Sequence, residues 1–145
     1  MKILAICSIL ILAICISCNE EQTYPLEGAW ELVKGESKTE DSTISYPMSP
    51  HGKHMKLLTK THFTTVAMDT TYPHPAYPYF NGGTYTLVNG IYTERLEYLS
   101  EPSGLGSIAY FKIKIEDDKF LISPANEDGE EEEYGYFEEW KRSNL

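Results

Sequence analysis

Hydrophobic and polar residues follow two patterns along this chain, and the change comes at Cys18. Ile3 to Ile16 form an apolar run broken only by Ser8 and preceded by Lys2. Beyond Cys18 no stretch keeps helical spacing. Short runs rich in Tyr, Thr, Ile, Val and Phe alternate apolar with polar positions instead, which suits a pleated, half-buried surface. Eight such runs predict strands at residues 27–34, 53–59, 62–69, 83–88, 91–99, 107–116, 119–123 and 134–142.

The links between these runs alternate in length. Lys60-Thr61, Asn89-Gly90 and Asp117-Asp118 join their neighbours in two residues, whereas the links 35–52, 70–82, 100–106 and 124–133 are long. Asn-Gly is the strongest of the short signals, because both residues accept the positive φ of a type I′ turn. In an antiparallel up-and-down meander, tight turns then gather at one end and long loops at the other. An all-β, eight-stranded barrel with a sealed end and an elaborated mouth follows, and closure removes exposed sheet edges.

The Asn89-Gly90 turn also fixes a register, pairing Val88 with Ile91, Leu87 with Tyr92 and Tyr85 with Glu94. One face then carries Tyr85, Leu87, Tyr92, Glu94, Leu96 and Tyr98, and the other Thr84, Thr86, Thr93, Arg95 and Glu97. The first is the more apolar and is expected to point inward. Phe111, Ile113 and Ile115 are expected inside by the same rule. Residues 62–69 are balanced between their two faces.

As a helix, the opening apolar run would rise only about 21 Å, short of the roughly 30 Å hydrocarbon core of a bilayer. It reads as the core of a signal peptide. Its end, Ile16-Ser17-Cys18-Asn19, resembles the lipobox of bacterial lipoproteins, which implies cleavage before Cys18 and lipidation of its thiol. Cys7 and Cys15 would leave with the signal, so the mature chain holds one cysteine and no internal disulfide. Glu20-Glu21 resembles the export tag of Bacteroidetes surface lipoproteins. The expected organisation is a signal peptide at 1–17, a lipidated tether at 18–25 and one domain at 26–145. The expected location is the bacterial cell envelope, anchored to the outer membrane and facing the periplasm or the outside.

Charge narrows the partners. The chain carries a formal −10, and losing Lys2 with the signal makes it −11. Such a domain is repelled by nucleic acid and by anionic lipid, and there is no basic stripe to compensate. Membrane contact is expected through the lipid alone, and the protein is expected to be a monomer.

Gly28-Ala29-Trp30 on the first run resembles the Gly-x-Trp of the lipocalin and fatty-acid-binding (calycin) superfamily, and Trp140-Lys141-Arg142 ends the last run. The segments 26–33, Lys60-Thr61-His62-Phe63, 80–85 and Tyr92-Thr93-Glu94 resemble, more specifically, lipocalin-like lipoproteins of Bacteroidetes, mostly of unknown function. The resemblance spans nearly all of residues 26–142. It implies a barrel floor of Gly28, Trp30 and Arg142, in which Trp30 is the plug and Arg142 packs across the indole. It also implies a binding function, with a small or moderately apolar ligand entering through the mouth.

Glu94 is the candidate polar group of that interior, beside Tyr85, Tyr92 and Tyr98. A carboxylate placed inside must be paired, hydrogen-bonded or hydrated. Two roles are open to it, anchor for a ligand or structural partner of a tyrosine hydroxyl. The link 70–82 gathers three prolines with Tyr72, His74, Tyr77, Tyr79 and Phe80, either a lid over the mouth or a contact surface. Tyr72, Tyr77 and Tyr79 are the candidates there, and Tyr46, Met48 and His51 belong to the same end.

No metal site or cofactor is expected. His51-Gly52-Lys53-His54 has a possible spacing but no second ligand pair, and Asn126-Glu127-Asp128-Gly129 fails the calcium-loop pattern. No nucleophile elbow, phosphate loop or Ser/His/Asp grouping asks for an enzyme. The alternatives to ligand binding are a protein-interaction module using the aromatic mouth loops, and an enzyme using Glu94 in the cavity.

Overall fold

The computed structural model describes residues 26–47, 51–68 and 79–144. The apolar run, Cys18, the tether, Met48, Tyr72, His74 and Tyr77 lie outside the described residues. Those described form nine strands: β1 (Gly28–Lys38), β2 (Thr43–Tyr46), β3 (Lys53–Leu58), β4 (His62–Met68), β5 (Tyr79–Val88), β6 (Ile91–Leu99), β7 (Ile108–Glu116), β8 (Lys119–Ala125) and β9 (Gly135–Arg142). One 3-10 turn at Pro102–Gly104 links β6 to β7.

All neighbouring strands pair antiparallel, in the order β2-β1-β3-β4-β5-β6-β7-β8-β9, and β1 also pairs with β9. The sheet therefore closes on itself. Eight strands, β1 and β3–β9, make the barrel in the expected up-and-down order. Tight turns follow β3, β5 and β7 and alternate with long links, and the link after β8 folds back so that Gly129 abuts Ile91 beside the Asn89-Gly90 turn. Asn89 and Gly90 take the positive φ values, 53° and 80°, that their turn requires. The register of β5 on β6 follows, with Val88 opposite Ile91, Leu87 opposite Tyr92 and Tyr85 opposite Glu94.

Three features depart from the sequence pattern. The first is β2, which pairs with Gly35–Lys38 of a β1 longer than expected. Glu36, Ser37 and Lys38 face Ser45, Ile44 and Thr43 across a mostly polar hairpin, so there was no apolar alternation to mark it. Thr39 and Ser42 close its turn through their hydroxyls. Only Gly28–Glu31 of β1 pairs with β3, while β9 pairs along most of β1's length, with an extra residue at Val33. The second departure is the early start of β5 at Tyr79, where the pattern begins the strand only at Gly83. A Cβ on Gly83 would stand 1.9 Å from the Arg95 carbonyl oxygen, so only glycine lets β6 approach there.

The third departure corrects the facing of Tyr98. Gly82 pairs with Tyr98 and Gly83 with Leu96, which leaves Glu97 as an extra residue in β6. That bulge resets the alternation. Leu96 stays packed on the core, whereas Tyr98 is 59% exposed and does not join Tyr85, Tyr92 and Glu94 inside. Ile115, at the closed rim, is more exposed than its expected inward place implies. On β4 the undecided face is settled, with Phe63, Thr65 and Ala67 inside. The core is Leu26, Trp30, Leu58, Phe63, Tyr85, Tyr92, Phe111, Phe120, Ile122 and Trp140.

Candidate functional site

The barrel is built up from an aromatic floor. Trp30 is fully buried and its indole N–H donates to the Leu26 carbonyl at 2.8 Å. Arg142 lies over the indole, 4.2 Å from its centroid, and donates to the Glu27 carbonyl at 3.0 Å. Gly28 has φ +134°, and a Cβ there would meet the Arg142 guanidinium at 2.8 Å. Trp30 meets Phe120 edge-on at 4.6 Å, and Phe120 stacks on Trp140 at 6.0 Å. On the other side Tyr85 and Tyr92 pack at 5.2 Å, and the Tyr85 hydroxyl donates to the Thr59 carbonyl near the closed end. Gly28, Trp30 and Arg142 thus form the floor the resemblance implies, and Tyr85 serves it.

A polar layer lies above this floor. The Lys56 ammonium of β3 is 2.8 Å from Glu94 Oε1, and both side chains are buried. The Tyr92 hydroxyl donates to the same oxygen at 2.8 Å. Glu138 of β9 stands 4.0 Å from Lys56, accepts the Trp140 indole N–H on Oε2 and accepts the Tyr46 hydroxyl on Oε1, each at 2.8 Å. The ammonium also sits over the rings of Trp140, Phe63 and Tyr92. Glu94 is therefore inside, as expected, and holds both a tyrosine and an ion-pair partner.

Lys56 begins a row that crosses three strands. It pairs with Thr65, and Thr65 with Asn81. Thr65 is only 8% exposed, and neither Thr65 Oγ1 nor Asn81 Oδ1, both buried, has a hydrogen-bond partner. Most buried polar atoms are satisfied, so these two oxygens, opposite each other on β4 and β5, stand out as open hydrogen-bonding groups of the layer. Asn81 Nδ2 donates to the Tyr79 hydroxyl at 3.3 Å. Above the row, Tyr46 stacks on His54 at 5.7 Å, and Tyr79 and Tyr136 lie near enough to oppose ionisation of Tyr46. These three tyrosines surround the entrance.

The electrostatics follow from burial and charge together. Burial pulls the Lys56 pKa down, but the carboxylates of Glu94 and Glu138 and the hydrogen bond to Glu94 outweigh it, and the net shift is upward. Burial first, and the Glu94 carboxylate second, hold the Tyr92 hydroxyl well above its ordinary value. Tyr46 is raised by burial and by Glu138, and Tyr79 is raised mainly by burial. All these groups keep their protons at neutral pH.

Lys56, Thr65, Asn81 and Glu138 are the site residues that the sequence pattern did not single out, whereas Tyr46 was placed at the mouth end. Glu138 shares the parity of the buried Trp140, so its inward direction was legible. Lys56 was not, because residues 53–58 are mixed on both faces. Tyr79 is the candidate of the mouth link that falls among the described residues, and its hydroxyl reaches the row. Asn126 turns on its own backbone, its Oδ1 accepting from the amides of Asp128 and Glu130. A second concavity, about 550 Å³, lies on the outer face around Leu121 and Phe137. Its lysines are already answered, Lys34 by Glu139, Lys38 by Glu36 and Lys112 by Glu131.

No family model matches the chain, and no curated protein matches its sequence. Among solved structures, it is similar to a lipocalin-like protein from Bacteroides uniformis, with 13% identity and a TM-score of 0.51 over 82% of this chain and 99% of that one. At that identity the likeness concerns the fold. The closed antiparallel barrel, with its Trp30 plug and Arg142 clasp, has a lipocalin-like fold.

Proposed function

We propose that the protein is a non-enzymatic binding protein, tethered to the bacterial outer membrane through lipid on Cys18. Its barrel takes a small or moderately apolar ligand through the tyrosine-lined mouth. The observation that carries this reading is the buried row of Lys56, Thr65 and Asn81, two of whose oxygens lack partners. A core built for stability alone has no use for unsatisfied oxygens beside an ion pair. The lipocalin-like fold agrees, since barrels of this size hold filling side chains or one small ligand. Glu94 is committed to Lys56 and Tyr92 rather than standing free as a base, which argues against the enzymatic alternative. The test is native mass spectrometry of the full chain purified from its own host. A stoichiometric small-molecule adduct, lost in Thr65→Val, is expected; protein of bare mass would overturn the reading.

A second reading has an observation of its own. Val66, Met68, Phe80 and Tyr98 are each at least 44% exposed on the outer wall of β4, β5 and β6. An apolar strip of this kind suits contact with another protein. Phe80→Ser and Tyr98→Ser would abolish such a contact and leave ligand binding intact.

A further inference from the structure

The charges inside the barrel do not balance. Among the described residues, the polar layer holds one ammonium, Lys56, against two carboxylates, Glu94 and Glu138. The ammonium is already spent on Glu94 at 2.8 Å. Of the row's own two buried oxygens without partners, Asn81 Oδ1 can only accept, and Thr65 Oγ1 can accept or donate; the third such oxygen among the described residues, Ser100 Oγ, lies outside the row. His54 is stacked on Tyr46 at the entrance. A carboxylate entering the row would meet a negative surplus, and the ammonium nearest to it is already paired with Glu94. An amine would find two oxygens to receive its protons and the field of the extra carboxylate. It would pass the faces of Tyr46, Tyr79 and Tyr136, which attract cations on the way.

We propose, resting on the binding reading above, that the barrel selects ligands by an amine head on an apolar body and rejects the matching carboxylate. Thr65 and Asn81 receive the ammonium protons, Glu138 supplies the countercharge, and the Lys56–Glu94 pair stays intact beneath. Selection comes from excess acceptors in a low-dielectric place, where an unmatched anion is costly.

Calorimetric titration of the full chain with phenylethylamine, phenylethanol and phenylacetate tests this, because the three share a body and differ in the head. The amine is expected to bind at least about tenfold tighter than the carboxylate, the scale of one charge-assisted hydrogen bond, with the alcohol between. Glu138→Gln should shrink that ratio by roughly tenfold, since it removes the surplus charge. Thr65→Val should weaken the amine several-fold while the melting temperature holds or rises. A carboxylate that binds as well as the amine, or a ratio unmoved in Glu138→Gln, would overturn this inference and leave the binding reading standing. Silence from all three compounds would overturn both.

Discussion

At the scale of single residues, the pair Lys56–Glu94 links stability to the site. Each partner is buried, so removing one strands the other's charge. Glu94→Gln is expected to lower stability by about 3 kcal/mol, with Glu138 at 4.0 Å giving Lys56 only partial relief. Lys56→Met combined with Glu94→Gln should recover most of that loss, and urea melts of the three proteins measure it. Mutual rescue would show that the pair is held for what it organises. The pH dependence has a definite sign. Lys56, Tyr46 and Tyr92 all have folded pKa values above their ordinary 10.5 and 10.0, so the folded chain holds more protons than the unfolded chain in alkali. Their contribution is complete below about pH 10 and fades as pH rises through the folded values. Stability is expected to fall in alkali, less steeply in Tyr92→Phe, as followed by circular dichroism against pH.

At the scale of elements, glycines decide what the strands can do. Gly83 lies against the Arg95 backbone carbonyl, where a Cβ would stand 1.9 Å away and neither chain can yield. Gly83→Ala should therefore cost more than about 3 kcal/mol and loosen β5 from β6 at the bulge. Gly90→Ala meets nothing within 4 Å and bears only the strain of its φ of +80°, about 1 kcal/mol. Thermal melts of the two variants should differ accordingly. These positions also show where the chain's pattern could be read and where it could not. Asn89-Gly90 announces its turn because φ > 0 is a local property with a local signature. Gly83 carries the same residue type for a non-local reason, the approach of β6, which nothing local announces. Tyr98 is misdirected for the same cause, since one extra residue in β6 is invisible to an alternation counted along a single strand.

At the scale of the whole molecule, the alternation of short and long links pointed to the closed meander once neighbouring strands were taken as antiparallel, which each two-residue link requires of the pair it joins. The floor was legible through Gly28, Trp30 and Arg142, residues with few substitutes. Glu94 was legible as an inward carboxylate. Its partner was not, since Lys56 is distant in sequence and lies in a run without alternation. The proposed tether makes a separate prediction. Cys18→Ser should abolish acyl labelling and release the protein from the membrane fraction; unchanged fractionation would refute the anchor.

The two tryptophans sit in unequal surroundings. Trp30 gives its indole N–H to the Leu26 carbonyl, deep in the floor and walled off by Arg142 and Phe120. Trp140 gives its own to Glu138, with the Lys56 ammonium 5.2 Å from its ring. One fluorophore is therefore wired to the polar layer and the other is insulated from it. Any occupant that draws on Glu138 should shift the emission of Trp140 and leave Trp30 constant. The molecule carries its own optical gauge of occupancy together with the reference needed to read it.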